Sequence, residues 1–465
     1  MEGSGGGGGG GGPTTYCVTG ATGYIGSWLV KSLLQKGYRV HATARNLEKA
    51  FQLLNQWESK DQLRLFTADL QEDGSFDEAV RGCDGVFHVA ASMEFGAPAP
   101  AAENCYVQTN IIDPAIRGTK NVLKSCSKTS SVRRVVFTSS ISTMTSKDNF
   151  GRWIPIVDES CQIPVQRVLE TKPSGWVYVL SKLLTEEAAF QFANENSIHL
   201  ISVITTTVAG PFLTPAVPLS IGVLLSPVTG DPNRLSILAA VNSRMGSIAL
   251  VHIEDICNAH IFLMEHAKAE GRYICCTRSC LMSELVEHLS KECPCPIIQR
   301  LDREEHDSVP SEISSKKIKD LGFAYKYGIQ DIIHETIGSQ FGGDSILVFQ
   351  NIKTKVQRHI SRSLSIPDLN KDKGIRKLDS FFRVIPSTPR VKDGNSEVSM
   401  VTTPGESENN EDGQDIPEEE AICQICFVEL CEGGETLKIE CSCKGELALA
   451  NRECAIKWFG MWVVQ

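Results

Sequence analysis

At 465 residues, with 42% hydrophobic and 22% charged residues, the chain is longer than one ordinary core encloses and has the composition of soluble globular protein. The formal charge of -10 excludes a general nucleic-acid binder, which needs clustered Lys and Arg to neutralise phosphates. The apolar stretches Ile201 to Val208 and Leu219 to Leu225 are interrupted and fall far short of a membrane span, and no basic-then-apolar leader opens the chain, so a cytoplasmic location is the default expectation.

Residues 1–13 form a glycine-rich tail, expected to be disordered, with an unbroken tract from Gly5 to Gly12. Short runs of buried-strand character follow at Tyr16 to Thr19, Arg39 to Ala44, Leu63 to Thr67, Val86 to Val89 and Val135 to Thr138. Helical segments separate them, such as Ile25 to Lys36 with Leu29, Val30, Leu33 and Leu34 on one face. This alternation predicts an α/β fold with a Rossmann-type, doubly wound parallel sheet. Further elements at His199 to Thr205, Ala249 to His252, Ile256 to Met264 and Tyr273 to Cys276 predict a smaller C-terminal substrate lobe. The last clear helix is Ile329 to Ile337, which places the end of the domain at residue 342. From 343 to 420 the periodicity dissolves into Ser, Lys, Asp and Asn with an acidic run from Glu406, so a disordered linker is expected, with Ile346 to Ile360 patterned as a short amphipathic helix.

Thr19-Gly20-Ala21-Thr22-Gly23-Tyr24-Ile25-Gly26 joins the first strand to the first helix. Gly20 permits a tight turn, Gly23 lets backbone approach a pyrophosphate, and Gly26 lets helix and strand pack, while the amides of Tyr24, Ile25 and Gly26 open the helix toward the phosphates. After the second strand, where an acid would bond the adenosine ribose, stands Arg45. An arginine there pairs a 2′-phosphate, so NADPH is expected over NADH. Asp69-Leu70 and Val89-Ala90 close the third and fourth strands, where a doubly wound sheet meets its dinucleotide. Asp69 could equally cap the next helix.

Tyr178 and Lys182 are four apart on a predicted helix and share a face. A phenol is a poor acid at neutral pH unless a cation stabilises its anion, and Lys182 can do this while reaching the cofactor ribose. Phe137-Thr138-Ser139-Ser140 ends the fifth strand, where a hydroxyl can hold a substrate carbonyl; Ser140 is the choice and Ser139 the alternative.

The glycine turn and the Tyr178/Lys182 pair together resemble the extended short-chain dehydrogenase/reductase family. Over about residues 14 to 340 the resemblance is nearest to plant dihydroflavonol and anthocyanidin reductases, through Val18 to Lys31, Gly82 to Ala90, Arg133 to Ser140, Trp176 to Lys182, Gly210-Pro211-Phe212, Val251 to His260 and Gly271 to Cys275. It implies NADPH-dependent reduction of a ketone or related group on a flavonoid-like ring system by Ser140, Tyr178 and Lys182. It also implies that Asp69 bonds the adenine and that Val89 and Ala90 border the nicotinamide half. The family often dimerises through a helix pair around the Tyr178 helix, so a homodimer is the assembly it suggests. Departures lie on the substrate side: Thr145 stands where those reductases carry Asn, Thr205 where Pro is usual, and Met93 to Cys105 is an unusual Ala/Pro-rich insert. Ala115 replaces an Asn that many family members use to order water.

Of seventeen cysteines, six crowd between Cys423 and Cys454. Cys423-x2-Cys426, Cys441-x-Cys443 and Asn451-x2-Cys454 resemble an incomplete variant RING (RING-CH) zinc finger over residues 421–465. Each zinc requires four ligands. Asn451 replaces a ligating His, and the last Cys pair does not appear, although Cys431 could substitute. The spacing leaves open a zinc-binding, ubiquitin-ligase-like protein that meets a ubiquitin-conjugating enzyme and uses the reductase fold as a recognition module. The reductase with a vestigial tail is the first expectation.

Overall fold

A computed structural model describes residues 14–54, 62–91, 104–148, 150–172, 175–293 and 311–341, together with three strands near the C-terminus. The chain divides into two units, Met1–Leu364 and Ser365–Gln465.

In the first unit the elements alternate: β1 (Thr15–Thr19), α1 (Tyr24–Gln35), β2 (Arg39–Ala44), α2 (Leu47–Leu54), β3 (Leu63–Thr67), α3 (Asp77–Val80), β4 (Gly85–His88), α4 (Asn104–Val107), a π turn at Gln108–Ile112, α5 (Asp113–Ser127) and β5 (Arg134–Ser140). After β6 (Ile156–Val157) and α6 (Val165–Thr171) come α7 (Trp176–Glu195), β7 (Leu200–Thr205) and β8 (Thr207–Ala209). The chain continues with α8 (Leu219–Leu224), α9 (Ser226–Thr229), α10 (Pro232–Met245), β9 (Ile248–His252), α11 (Ile253–Glu265) and β10 (Gly271–Cys275). It closes with β11 (Arg278–Cys280), α12 (Met282–Glu292), β12 (Glu312–Ile313), α13 (Lys316–Asp320) and α14 (Ile329–Phe341).

Seven strands form one sheet in the order β10-β7-β5-β4-β1-β2-β3, and every pairing in it is parallel. The order reverses beside β1, which opens a crevice between the C-terminal ends of β1 and β4. Strand alternation divides the core. Tyr16 and Val18 of β1 and Val136 of β5 pack with Leu29 and Leu33 of α1 and Ile256 of α11. Cys17, Val135 and Phe137 face the opposite layer, with Val122 of α5 and Ala189 of α7. Leu29 and Leu33 are fully buried, each contributing about 2 kcal/mol by leaving water. The smaller lobe has its own core, built from α8, α10, β9, α12 and α14 around Leu224, Leu238, Ile248, Leu285 and Ile332.

The second unit shows a three-stranded antiparallel sheet of β13 (Phe382–Ser387), β14 (Thr436–Cys441) and β15 (Glu446–Asn451), in that order. β13 falls inside the 343–420 stretch read as a linker. Ile346 to Ile360 lies outside the described residues, as does the 1–13 tail.

Candidate active site

The glycine turn is set by close backbone contacts. Gly20 adopts φ +68°, and a Cβ there would stand 2.8 Å from Ala90 Cα. Gly23 N–H donates to Gly20 O at 3.0 Å and Gly23 O accepts from Ser27 N–H at 2.9 Å, which closes the turn and starts α1. A Cβ on Gly26 would stand 2.1 Å from Gly20 O, so the third glycine is required by the turn itself rather than by helix packing on the strand. No side chain caps α1 and no acid occupies its first turn. By contrast Asp231 caps α10, and His252 caps α11 with Glu254 and Asp255 following. An uncapped helix of 12 residues behind a glycine cradle fits a pyrophosphate, because its first N–H groups and its dipole both favour an anion.

The floor of the crevice is a network that the sequence motifs did not reveal. Thr19 Oγ1 accepts N–H bonds from Val89 at 3.2 Å and Ala90 at 3.1 Å, which orients the loop after β4. Its own proton is then free for His88 Nδ1 at 2.9 Å, so His88 carries hydrogen on Nε2 and donates it to Thr119 Oγ1 at 3.1 Å. Burial holds His88 down to about 3, helped by the Lys182 ammonium, so it stays neutral. A second pair repeats the device. His260 Nδ1 donates to Ile256 O at 2.7 Å, which leaves Nε2 to accept from Thr138 Oγ1 at 2.9 Å. A buried threonine at each strand end was the available signal, but its histidine lies 69 or 122 residues away.

The three catalytic candidates converge on this edge. Ser140 is the last residue of β5, and its Oγ accepts from Ser142 N–H at 3.2 Å, which leaves its own proton to donate. Ser139, the alternative, points into the packed layer with its hydroxyl buried and unpartnered. Tyr178 and Lys182 lie on one face at the start of α7, with Lys182 Nζ 6.0 Å from the Tyr178 ring centre. The short 3-10 turn Ile141–Thr143 that follows Ser140 packs against α7. Lys182 is also near enough to His88, at the end of β4, for its charge to help hold that histidine neutral. The helix is anchored by a buried ion pair: Arg272 of β10 meets Glu186 of α7 at 3.0 Å and also reaches Thr143 Oγ1 at 3.2 Å.

Arg45 follows β2 directly, is exposed, and forms no ion pair among the described residues. The turn and β2 are joined by Ala21 N–H to Thr43 O at 3.1 Å. Asn46, next in line, accepts from Lys49 N–H at 2.9 Å and starts α2. Asp69 accepts from Gln71 N–H at 2.8 Å within its own turn and does not cap α3, the next helix. Leu70 is pressed by α5, where a Cβ on Gly118 would stand 2.8 Å from Leu70 Cβ. Of the departures, Thr145 spends its hydroxyl on Lys147 backbone, and Thr205 donates to Ser139 O at 3.2 Å. Most of Met93 to Cys105 lies outside the described residues.

No group of His, Cys, Asp and Glu suited to a metal occurs among the described residues. Cys441 ends β14, while Cys423, Cys426, Cys443 and Cys454 lie outside the described residues. No helix among the described residues is long and apolar enough to cross a membrane. A cavity of about 640 Å³ between β11, β12 and α13 is bordered by none of the catalytic candidates.

Comparison with known proteins identifies the family. Residues 16–276 match the model of the NAD dependent epimerase/dehydratase family. A protein of Ginkgo biloba provisionally named anthocyanidin reductase is 47% identical over 331 residues, covering 70% of this chain and 93% of that one. The bifunctional dihydroflavonol 4-reductase/flavanone 4-reductase of Malus domestica is 41% identical over 320 residues, 68% of this chain and 87% of that one. Among solved structures, vestitone reductase from alfalfa superposes with a TM-score of 0.58 at 29% identity, covering 72% of this chain and 99% of that one. The zinc-finger resemblance of residues 421–465 gains no support from these matches. The chain belongs to the NAD dependent epimerase/dehydratase family, as an extended short-chain dehydrogenase/reductase of the dihydroflavonol and anthocyanidin reductase type, and is an oxidoreductase acting on CH–OH and C=O groups.

Proposed function

We propose that this chain uses NADPH to reduce a ketone or related group on a flavonoid-like or other aromatic small molecule. The observation that carries the proposal is the placement of Tyr178 and Lys182 on one face of α7, at the sheet edge that also holds Ser140 and the uncapped start of α1. The relatives' names supply the flavonoid class. The glycine cradle and the first amides of α1 would hold the pyrophosphate, Arg45 the 2′-phosphate, Asp69 and Leu70 the adenine end, and Val89 and Ala90 the nicotinamide end. When bound, the dinucleotide supplies hydride to the substrate carbon.

The chain's own groups manage the oxygen. Ser140 Oγ donates to the carbonyl oxygen and fixes its position. Tyr178 gives that oxygen its proton, and Lys182 stabilises the phenolate left behind and holds the ribose. Burial, with the Lys182 charge beside it, keeps His88 neutral, so no second acid competes beside Lys182.

Fluorescence titration of the full chain with NADPH and with NADH tests the cofactor half. NADPH should bind at least tenfold tighter, and Arg45→Ala should reduce that preference to within threefold; equal affinities in the unaltered chain would refute the role of Arg45. Turnover of dihydroflavonols and related aryl ketones tests the chemical half. Tyr178→Phe should lower kcat by at least a hundredfold with unchanged NADPH affinity, and undiminished turnover would refute the mechanism.

A further inference from the structure

Arg244 lies in the last turn of α10 and takes no part in the machinery above. A basic residue in that position ordinarily serves the helix dipole, donating to the last carbonyls or resting in solvent. Arg244 does neither. Its Nε is sealed from solvent without a hydrogen-bond partner. The guanidinium makes no hydrogen bond or ion pair among the described residues, and the residue is half-buried. Buried guanidinium groups are normally paired, so this one is short of an anion.

Its position says where the anion would come from. Ser146 Oγ donates to Arg244 O at 2.6 Å, which fastens the end of α10 to the segment that leaves Ser140. The adjacent Met245 packs against Ile141 and Met144 of that segment, and the Trp153 ring covers Gly246, within 2.9 Å of where a Cβ would stand. The Arg244 charge is also close enough to Tyr178 to interact with it. An unpaired cation therefore stands on the substrate lobe beside the residues that handle the carbonyl.

We propose that Arg244 is a substrate-anchoring residue, whose guanidinium pairs an anionic oxygen, carboxylate or ionised phenol, on the ring system that carries the reacting ketone. This rests on the reductase reading and narrows its substrate class to acidic aromatic ketones. Arg, rather than Lys, suits the task because its planar fork meets two oxygens or one oxygen in a fixed direction.

The test uses the full chain loaded with NADPH. Two bicyclic ketone probes, 4-oxochromane-2-carboxylate and its methyl ester, are titrated while the bound dinucleotide's fluorescence is followed. The unaltered chain should bind the acid at least tenfold tighter than the ester. Arg244→Met should erase that preference by weakening the acid at least tenfold while the ester changes less than threefold, and Arg244→Lys should restore part of it. NADPH affinity should be the same in all three, which reports that the fold is intact; Arg244→Gln serves if the Met variant does not fold. A preference absent from the unaltered chain, or one surviving in both neutral variants, overturns the proposal. Because the readout is binding, Tyr178→Phe should leave the preference intact. Preserved acid selectivity without turnover would count against the reductase reading, while turnover without acid selectivity would count against the anchor.

Discussion

Gly26→Ala isolates the geometry of the cofactor turn. In an unconstrained helix interior alanine is favoured over glycine by about 1 kcal/mol, so propensity alone would raise the melting temperature. The structure predicts the opposite sign. The new methyl would stand 2.1 Å from Gly20 O, 2.9 Å from Gly20 C and 3.1 Å from Ala21 Cα, all of them backbone atoms that no rotamer change can move. An ordinary carbon–oxygen contact needs roughly 3.2 to 3.5 Å, so the turn and α1 must separate by about 1 Å. Overpacking of this kind costs about 1–3 kcal/mol, which exceeds or cancels the propensity gain. The larger effect falls on the ligand, because a shift of about 1 Å in positioning groups costs on the order of a hundredfold. NADPH affinity, followed by fluorescence titration, should therefore fall roughly a hundredfold, about 2.7 kcal/mol, while thermal melting drops by at most a few degrees. Gly37→Ala is the control: it too has positive φ, at +83°, but nothing lies within 4 Å of its Cβ position, so it should cost some stability and leave NADPH binding alone. A Gly26→Ala chain that bound NADPH within threefold of the unaltered one and melted no lower would refute the account of the turn.

Thr19→Val removes the acceptor for two backbone N–H groups and the donor to His88; it should cost about 1–3 kcal/mol in urea melts and weaken NADPH, with Thr19→Ser largely neutral, and equal losses for both variants would contradict the hydrogen-bond account. Arg272→Met leaves Glu186, with a side chain 3% exposed, unpaired in the interior, which should cost about 3–5 kcal/mol; a loss below 1 kcal/mol in thermal or urea melts would show the pair to be dispensable. Burial holds His88 down to about 3 and His252 and His260 down to about 4, against 6.5 in the unfolded chain. The unfolded state therefore takes up protons below pH 6.5 while the folded state does not. Stability is retained above that pH and declines as pH falls toward 4, by up to about 1.4 kcal/mol per unit for each histidine. Urea melts at pH 7 and pH 5 that gave the same free energy would contradict the buried neutral state.

The parts of the site that were legible in the sequence are those encoded by local spacing. Tyr178 and Lys182 share a face because 3.6 residues make a turn, and the glycine turn carries its requirement in consecutive residues. The layered α/β fold followed from alternating strand and helix patterns. What stayed hidden depends on long-range pairing. Thr19 and His88 meet only because β1 and β4 are neighbours in the sheet, and Ser140 is separated from Ser139 only by the pleat and by the turn that follows. The assigned role of Gly26 needed correction because the contact that forbids a side chain is with Gly20 O. Arg244 had no motif to announce it, since an arginine near a helix end is unremarkable until the structure shows what its guanidinium lacks.

Tyr24 occupies the variable position between the second and third glycines, yet it packs on both the sheet core and the core of the smaller lobe, and its hydroxyl donates to Gly210 O at 3.2 Å. The loop that would receive the dinucleotide and the lobe that would receive the substrate are thus riveted through one phenol. A substitution at Tyr24 therefore acts on the cofactor turn and on the smaller lobe at once, through the packing of its ring and the bond of its hydroxyl.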